Sequence, residues 1–171
     1  MKTIEPKGIV IHSMAQYLVN EGGKTVHARD FLASIGLSVH AFVEPDGSVV
    51  PMKPVPQKAS HAGKSKWNGL EYLNSHYLGV ELLVEGVHSY DSFIAKIKDP
   101  KTFTEAQYTS LANLCAEWMK EYPLISLDTV ARHSDVSGVE VRPEAPKQDP
   151  GSGFNWLKFR TMLSIRELEN Y

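Results

Sequence analysis

The 171-residue chain contains a single cysteine, Cys115, so no internal disulfide can staple the fold and the sequence carries little mark of redox compartment. It also lacks an excess of positive charge. Its 18 basic and 20 acidic residues give a formal net charge of −2 and a pI near 6.4, and no local basic patch stands out, so a nucleic-acid partner is not expected. Long apolar runs are missing too. No stretch approaches the roughly 18 apolar residues of a membrane span. The opening "MKTIEPKGIVIHSMAQ" is interrupted by Glu5, Pro6, Lys7 and His12, so neither a targeting nor an anchoring segment is expected. Internal repeats, heptads and low-complexity linkers are likewise absent.

What remains is an ordinary globular composition, 42% hydrophobic and 22% charged. The length is too short for two typical cores, so one domain over residues 1–171 is expected. "GIVIH" (Gly8 to His12) reads as a buried strand that ends on a histidine. A helix over Ala28 to Ile35, with Thr25 as cap, precedes a hairpin turning at Pro45-Asp46-Gly47. "YLGVELLVEG" (Tyr77 to Gly86) is a second apolar strand with Glu81 in its middle. Thr104 and Gln107 form a capping box for a helix over Glu105 to Glu121, whose apolar stripe includes Cys115, so packing is the expected role of that thiol. A short strand from Thr129 to Arg132 would deliver His133 to an irregular segment running to Trp156, and a last helix is capped near Asn155. This order predicts an α/β fold: a central mixed β-sheet flanked by helices.

Three separated residues have the chemistry of a hydrolytic zinc site, which needs three nitrogen, oxygen or sulfur ligands and an open position. These are His12 and His133, each at a predicted strand end, and Asp149 in the irregular segment. Each has a plainer reading alone: a strand-end histidine is usually hydrogen-bonded or on the surface, and an aspartate before Pro-Gly usually forms a turn. Glu81 must be paired, face a cleft or shift its pKa upward if it is buried. On a half-exposed strand it would merely point outward.

Five segments in order carry a resemblance: "GIVIHSM", "SVHAFVEPDGSVVPMKP", "ASHAGKSKWNG", "LGVELLVEG" and "RHSDV…KQDPGSGFNW". Together they resemble the zinc-dependent N-acetylmuramoyl-L-alanine amidases of the AmpD-like class, whose fold is shared with peptidoglycan recognition proteins and amidase-type phage lysozymes. The resemblance implies Zn2+ held by His12, His133 and Asp149, with Glu81 as catalytic acid or base and Lys147 stabilising the oxyanion. It further implies that His61 and Trp67 contact the substrate, a peptidoglycan strand or muropeptide, and that His40 gives structural support. A monomer suffices. The compartment stays open between cytoplasm, phage-type lysis and export. Two competitors remain, a non-catalytic peptidoglycan-binding module and a zinc peptidase acting within the stem peptide. The stretch between His133 and Asp149 is longer than the family's usual one, and "GVEVRPEAP" reads as an insertion at the cleft rim.

Overall fold

The strand that opens at Gly8 does not stop at His12. In the computed structural model, which describes residues 1–171, β1 runs from Gly8 to Val19, so His12 lies inside a strand rather than at its end. The reason is pairing: Ser13 to Val19 continue to find backbone partners on both neighbouring strands. β2 (Thr25–His27) is followed directly by α1 (Ala28–Ser34). The cap of α1 is His27, whose ring accepts from the Arg29 N–H, and not Thr25, which is spent in β2. The hairpin strands are β3 (Ala41–Val43) and β4 (Val49–Pro51), and a small ribbon of β5 (Lys66–Trp67) and β6 (Leu70–Glu71) follows. Next come β7 (Tyr77–Val87), α2 (Tyr90–Lys96) and α3 (Glu105–Glu121). The chain ends through β8 (Val130–Arg132), α4 (His133–Val136) and α5 (Trp156–Glu169).

The main sheet has the order β2-β1-β7-β3-β4, with β8 also paired to β1. Strands β1, β7, β3 and β8 are parallel to their neighbours in this group, while β2 and β4 add antiparallel edges. The expected mixed sheet with flanking helices is what forms.

Side-chain alternation along the strands divides the sheet into two faces. Ile9 and Ile11 of β1, with Leu78, Val80, Leu82 and Val84 of β7, pack against Leu111, Cys115 and Met119 of α3 and Phe159 and Leu163 of α5. Cys115 is fully buried there and burial pushes its thiol up, which suits packing rather than attack. The predicted capping box is present, and Gln107 also donates to the carbonyls of Val43 and Leu83, tying α3 to the sheet.

The other face carries two smaller clusters. Val10 and Tyr77 pack with Ala62, Leu73, Ala131 and Val136, while Phe42 and Leu83 pack with Ala28, Leu32 and Val39. His12 and Glu81 occupy the strand positions between them.

Gly79 leaves space on this same face. A Cβ built there would meet the His61 ring at 2.6 Å, closer than such atoms can approach. Its N–H donates to Nδ1 of His40 (3.0 Å), and the His40 Nε2–H donates to the Gln57 carbonyl (2.7 Å), so His40 is a structural brace. Gly79→Ala should therefore cost about 1–3 kcal/mol through overpacking. Denaturant unfolding should show a smaller cost in a His61→Ala background. Equal costs in both backgrounds would contradict the close approach.

Candidate metal centre and active site

Parallel pairing sets His12 of β1 directly beside Glu81 of β7, and Glu81 in turn beside Phe42 of β3. On the other edge of β1, Ile11 pairs with Arg132 of β8, so the next residue, His133, arrives beside His12. His133 opens α4 instead of an irregular loop. The segment then returns under two backbone ties: the Ser134 N–H donates to the Asp149 carbonyl (2.9 Å) and the Lys147 N–H to the Ser137 carbonyl (3.0 Å). These ties bring His133, Lys147 and Asp149 to one place despite their separation in sequence.

Nδ1 of His12 lies 3.0 Å from Nδ1 of His133, and Oδ2 of Asp149 lies 3.4 Å and 3.2 Å from those two nitrogens. The surrounding hydrogen bonds assign the protons. Nε2–H of His61 donates to the Tyr77 carbonyl (3.1 Å), which leaves Nδ1 of His61 as acceptor for Nε2–H of His12 (2.9 Å). Nε2–H of His133 points at the Ala62 carbonyl, at 3.4 Å. With Nε2 as the donor on each ring, His12 and His133 both turn Nδ1 toward the Asp149 carboxylate oxygen. Three potential ligand atoms converge at one point.

Such a cluster calls for a cation. Two donors bound to one tetrahedral ion at about 2.0–2.1 Å lie about 3.3 Å apart, and the three edges observed fall close to that spacing. The donor set of two imidazoles and one carboxylate, with outer hydrogen bonds fixing both rings, fits a divalent metal.

Electrostatics agree with this reading. Burial, reinforced by His133, lowers the pKa of His12 to about 4, so its ring is neutral and ready to ligate. Burial alone would raise Asp149, but His133 and His12 outweigh it and hold the carboxyl well below its usual range. Burial, His12 and His40 together keep His61 neutral by lowering its pKa well below the usual value.

Glu81 behaves in the opposite way. It is 8% exposed, and its Oε2 has no hydrogen-bond partner. Burial and then the charge of Asp149 push its pKa well up, with Lys147 as the opposing influence. A carboxyl with a free oxygen and a raised pKa beside a metal cluster has the character of a proton-transfer group.

These groups share a cavity of about 440 Å³. Lys147 lines it, as do Leu37, Tyr90, Phe93 and Ile94, which form its apolar part. His61 reaches the cavity, but both its ring nitrogens are bonded within the protein, so its clear structural task is to orient His12. Trp67 is not brought into this cavity. Its indole N–H donates to the Asp128 carbonyl (3.0 Å), and it lines a separate cleft with Val139 and Val141. Reasoning from sequence missed α2, which supplies Tyr90, Phe93 and Ile94, and also Arg142 on the inserted segment. Ser89, a cap with Asp91 in the first turn, was the available signal for that helix.

A buried cluster of two imidazoles and a carboxylate beside a raised-pKa glutamate is the arrangement of a metal hydrolase. Residues 2–152 match the family described as N-acetylmuramoyl-L-alanine amidase, Amidase_2, and the chain belongs to that family. It is 34% identical over 133 residues to the 1,6-anhydro-N-acetylmuramyl-L-alanine amidase AmpD of Enterobacter cloacae, covering 78% of this chain and 60% of that protein. With AmpD of Escherichia coli K12 the identity is 32% over 133 residues, or 78% and 62% of the two chains. The chain thus spans about three fifths of the length of these curated relatives. Among solved structures, a selenomethionine AmpD derivative aligns with a TM-score of 0.66 at 26% identity, over 93% of this chain and 85% of that one. The Escherichia coli amidase AmiD, complexed with its substrate anhydro-N-acetylmuramic acid-L-Ala-D-γ-Glu-L-Lys, has a TM-score of 0.65 at 23% identity, over 94% and 58%.

Two outcomes follow from this geometry. Asp149→Ala should weaken divalent-metal binding by more than about 100-fold, since loss of a mere outer partner already costs about 10- to 100-fold. Competition against a chromophoric chelator measures this, and unchanged affinity would remove Asp149 from the centre. Because folding raises the pKa of Glu81, its carboxyl favours the fold below the unfolded carboxyl range, and that contribution is lost as pH rises through the raised value. Metal-free Glu81→Gln protein should therefore gain stability relative to the parent as pH rises above the ordinary carboxyl range of about 4. Parallel stability curves would contradict the burial of an unpaired carboxyl.

Proposed function

We propose that the protein is a zinc-dependent amidase that hydrolyses the bond between N-acetylmuramic acid and L-alanine in a peptidoglycan fragment. One observation carries this: the three converging ligand atoms of His12, His133 and Asp149 stand in the same cavity as the unpaired Oε2 of Glu81. Family membership supplies the reaction. The substrates named for AmpD and AmiD, anhydromuramyl groups joined to L-alanine, supply its class.

His12, His133 and Asp149 would hold the metal through two imidazole nitrogens and one carboxylate oxygen. Bound zinc supplies Lewis acidity, which makes water a nucleophile near neutral pH. Glu81 takes a proton from the attacking water on its free oxygen, a task that suits a carboxylate whose pKa is raised by burial. Lys147 donates to the oxygen that becomes negative as the amide carbonyl is attacked. Glu81, now protonated, returns the proton to the leaving amine of L-alanine. His61 keeps the lone pair of His12 directed at the metal throughout, and the apolar lining limits competing water.

The test is digestion of a muramyl peptide with mass analysis of the products. Release of peptides with free N-terminal L-alanine, lost on chelation and restored by zinc, is the expected result. Glu81→Gln should retain zinc and lose at least about 100-fold in kcat, the usual scale of general acid–base catalysis. Cleavage within the peptide, binding without cleavage, or full activity of Glu81→Gln would each contradict the reading.

A further inference from the structure

The amidase reading uses one cation, Lys147, yet the cavity holds two. Arg142 also lines it, carried on the segment that joins His133 to Asp149. Its guanidinium makes no hydrogen bond and no ion pair with any group of the protein, although Glu140 and Glu144 flank it in sequence. The contrast with other arginines is informative. Arg132 pairs with Asp135, Arg160 donates to the Leu127 carbonyl, and Arg166 donates to Asn113. Arg29, the remaining one, is exposed on α1, outside this cavity.

The backbone that carries Arg142 is pinned. The Arg142 N–H donates to the Gly138 carbonyl (2.8 Å), the Ala145 N–H donates to the Arg142 carbonyl (3.2 Å), and Lys147 is tied to Ser137. Ser137 is itself fully buried and donates its hydroxyl to the Lys64 carbonyl (2.8 Å). A half-buried guanidinium on such a support is a ready partner for an anion, above all for a carboxylate that can meet its planar fork with two oxygens.

The substrate class contains that anion. In a peptide that continues L-Ala-D-γ-Glu, linkage through the side-chain carboxyl leaves the α-carboxylate of the glutamyl residue free. From the scissile carbonyl carbon, that carboxylate is about 7 Å away in an extended chain, within the span of a single cavity. Lys147 lines the same cavity two residues before Asp149, as expected of a cation beside the reacting atoms. Arg142 is left for the peptide beyond them.

Resting on the amidase reading, we propose that Arg142 is a specificity-determining residue that takes the free α-carboxylate of the γ-linked glutamyl residue and so favours acidic stem peptides over their amidated forms. A carboxamide at that position brings no charge and offers a second N–H donor where the guanidinium needs an acceptor.

The experiment compares two muramyl peptides that differ only in carrying glutamate or isoglutamine second in the stem, using the zinc-loaded protein and its variants. The unsubstituted protein should prefer the acid by about tenfold or more in kcat/KM, as expected where a site built to bind one polar group meets an analogue lacking it. The preference should lie mainly in KM. Arg142→Gln should bring the ratio to within about twofold, Arg142→Lys should retain part of it, and Arg142→Glu should reverse it. An equal loss on both substrates in Arg142→Gln, or no preference in the unsubstituted protein, would overturn the proposal while leaving the amidase reading intact. Cleavage of neither substrate by the unsubstituted protein would defeat the amidase reading and this proposal with it.

Discussion

Everything at the site hangs on the parallel pairing of β1 with β7 in the register that sets His12 against Glu81. A slip of one residue would turn both side chains into the hydrophobic layer under α3 and α5 and bring Ile11 or Val80 to the cavity. That alternative is barred because Ile9, Ile11, Leu78, Val80, Leu82 and Val84 would lose their core together. The chemistry is therefore held in place by apolar burial on the far side of the same strands. β8 joins the same arrangement, since its pairing with β1 delivers His133 in step with His12.

This construction explains why polar groups can be so costly where they stand. Glu81 has an oxygen without a partner, and His12, His61 and His133 crowd together under conditions that keep His12 and His61 neutral. Left to itself, such a cluster is a liability to the fold, because burial penalises each charge and each missing hydrogen bond. A metal held by His12, His133 and Asp149 would offset part of that cost. Stability is given up at the place where the proposed proton transfer and ligation would need it, a common pattern at catalytic sites.

Much of the arrangement was legible in the sequence for identifiable reasons. Glu81 announced itself as a carboxylate inside an apolar run, Thr104 and Gln107 as a capping box, and Asp46-Gly47 as a turn, because each signal is local. The length of β1 was not legible, since "SMAQYLV" has no strong strand pattern and becomes a strand only through its partners on β2 and β7. Helix α2 has only seven residues and none fully buried, too little for a periodic stripe to register. The separation of His61 from Trp67 was equally hidden. The two lie on one short segment, yet Gly79 opens space that draws His61 in behind His12, while the Asp128 carbonyl holds Trp67 elsewhere. Such outcomes depend on distant residues that meet only when the sheet forms.

The central claim is that His12, His133 and Asp149 form one metal centre whose ligand atoms are fixed by the groups behind them. Anomalous diffraction at the zinc edge from crystals grown with zinc tests it most directly. The account predicts a single strong peak bounded by Nδ1 of His12, Nδ1 of His133 and Oδ2 of Asp149, with His61 still turned toward Tyr77. A peak ligated by His61 in place of either histidine, or a cluster that excludes zinc, would contradict it.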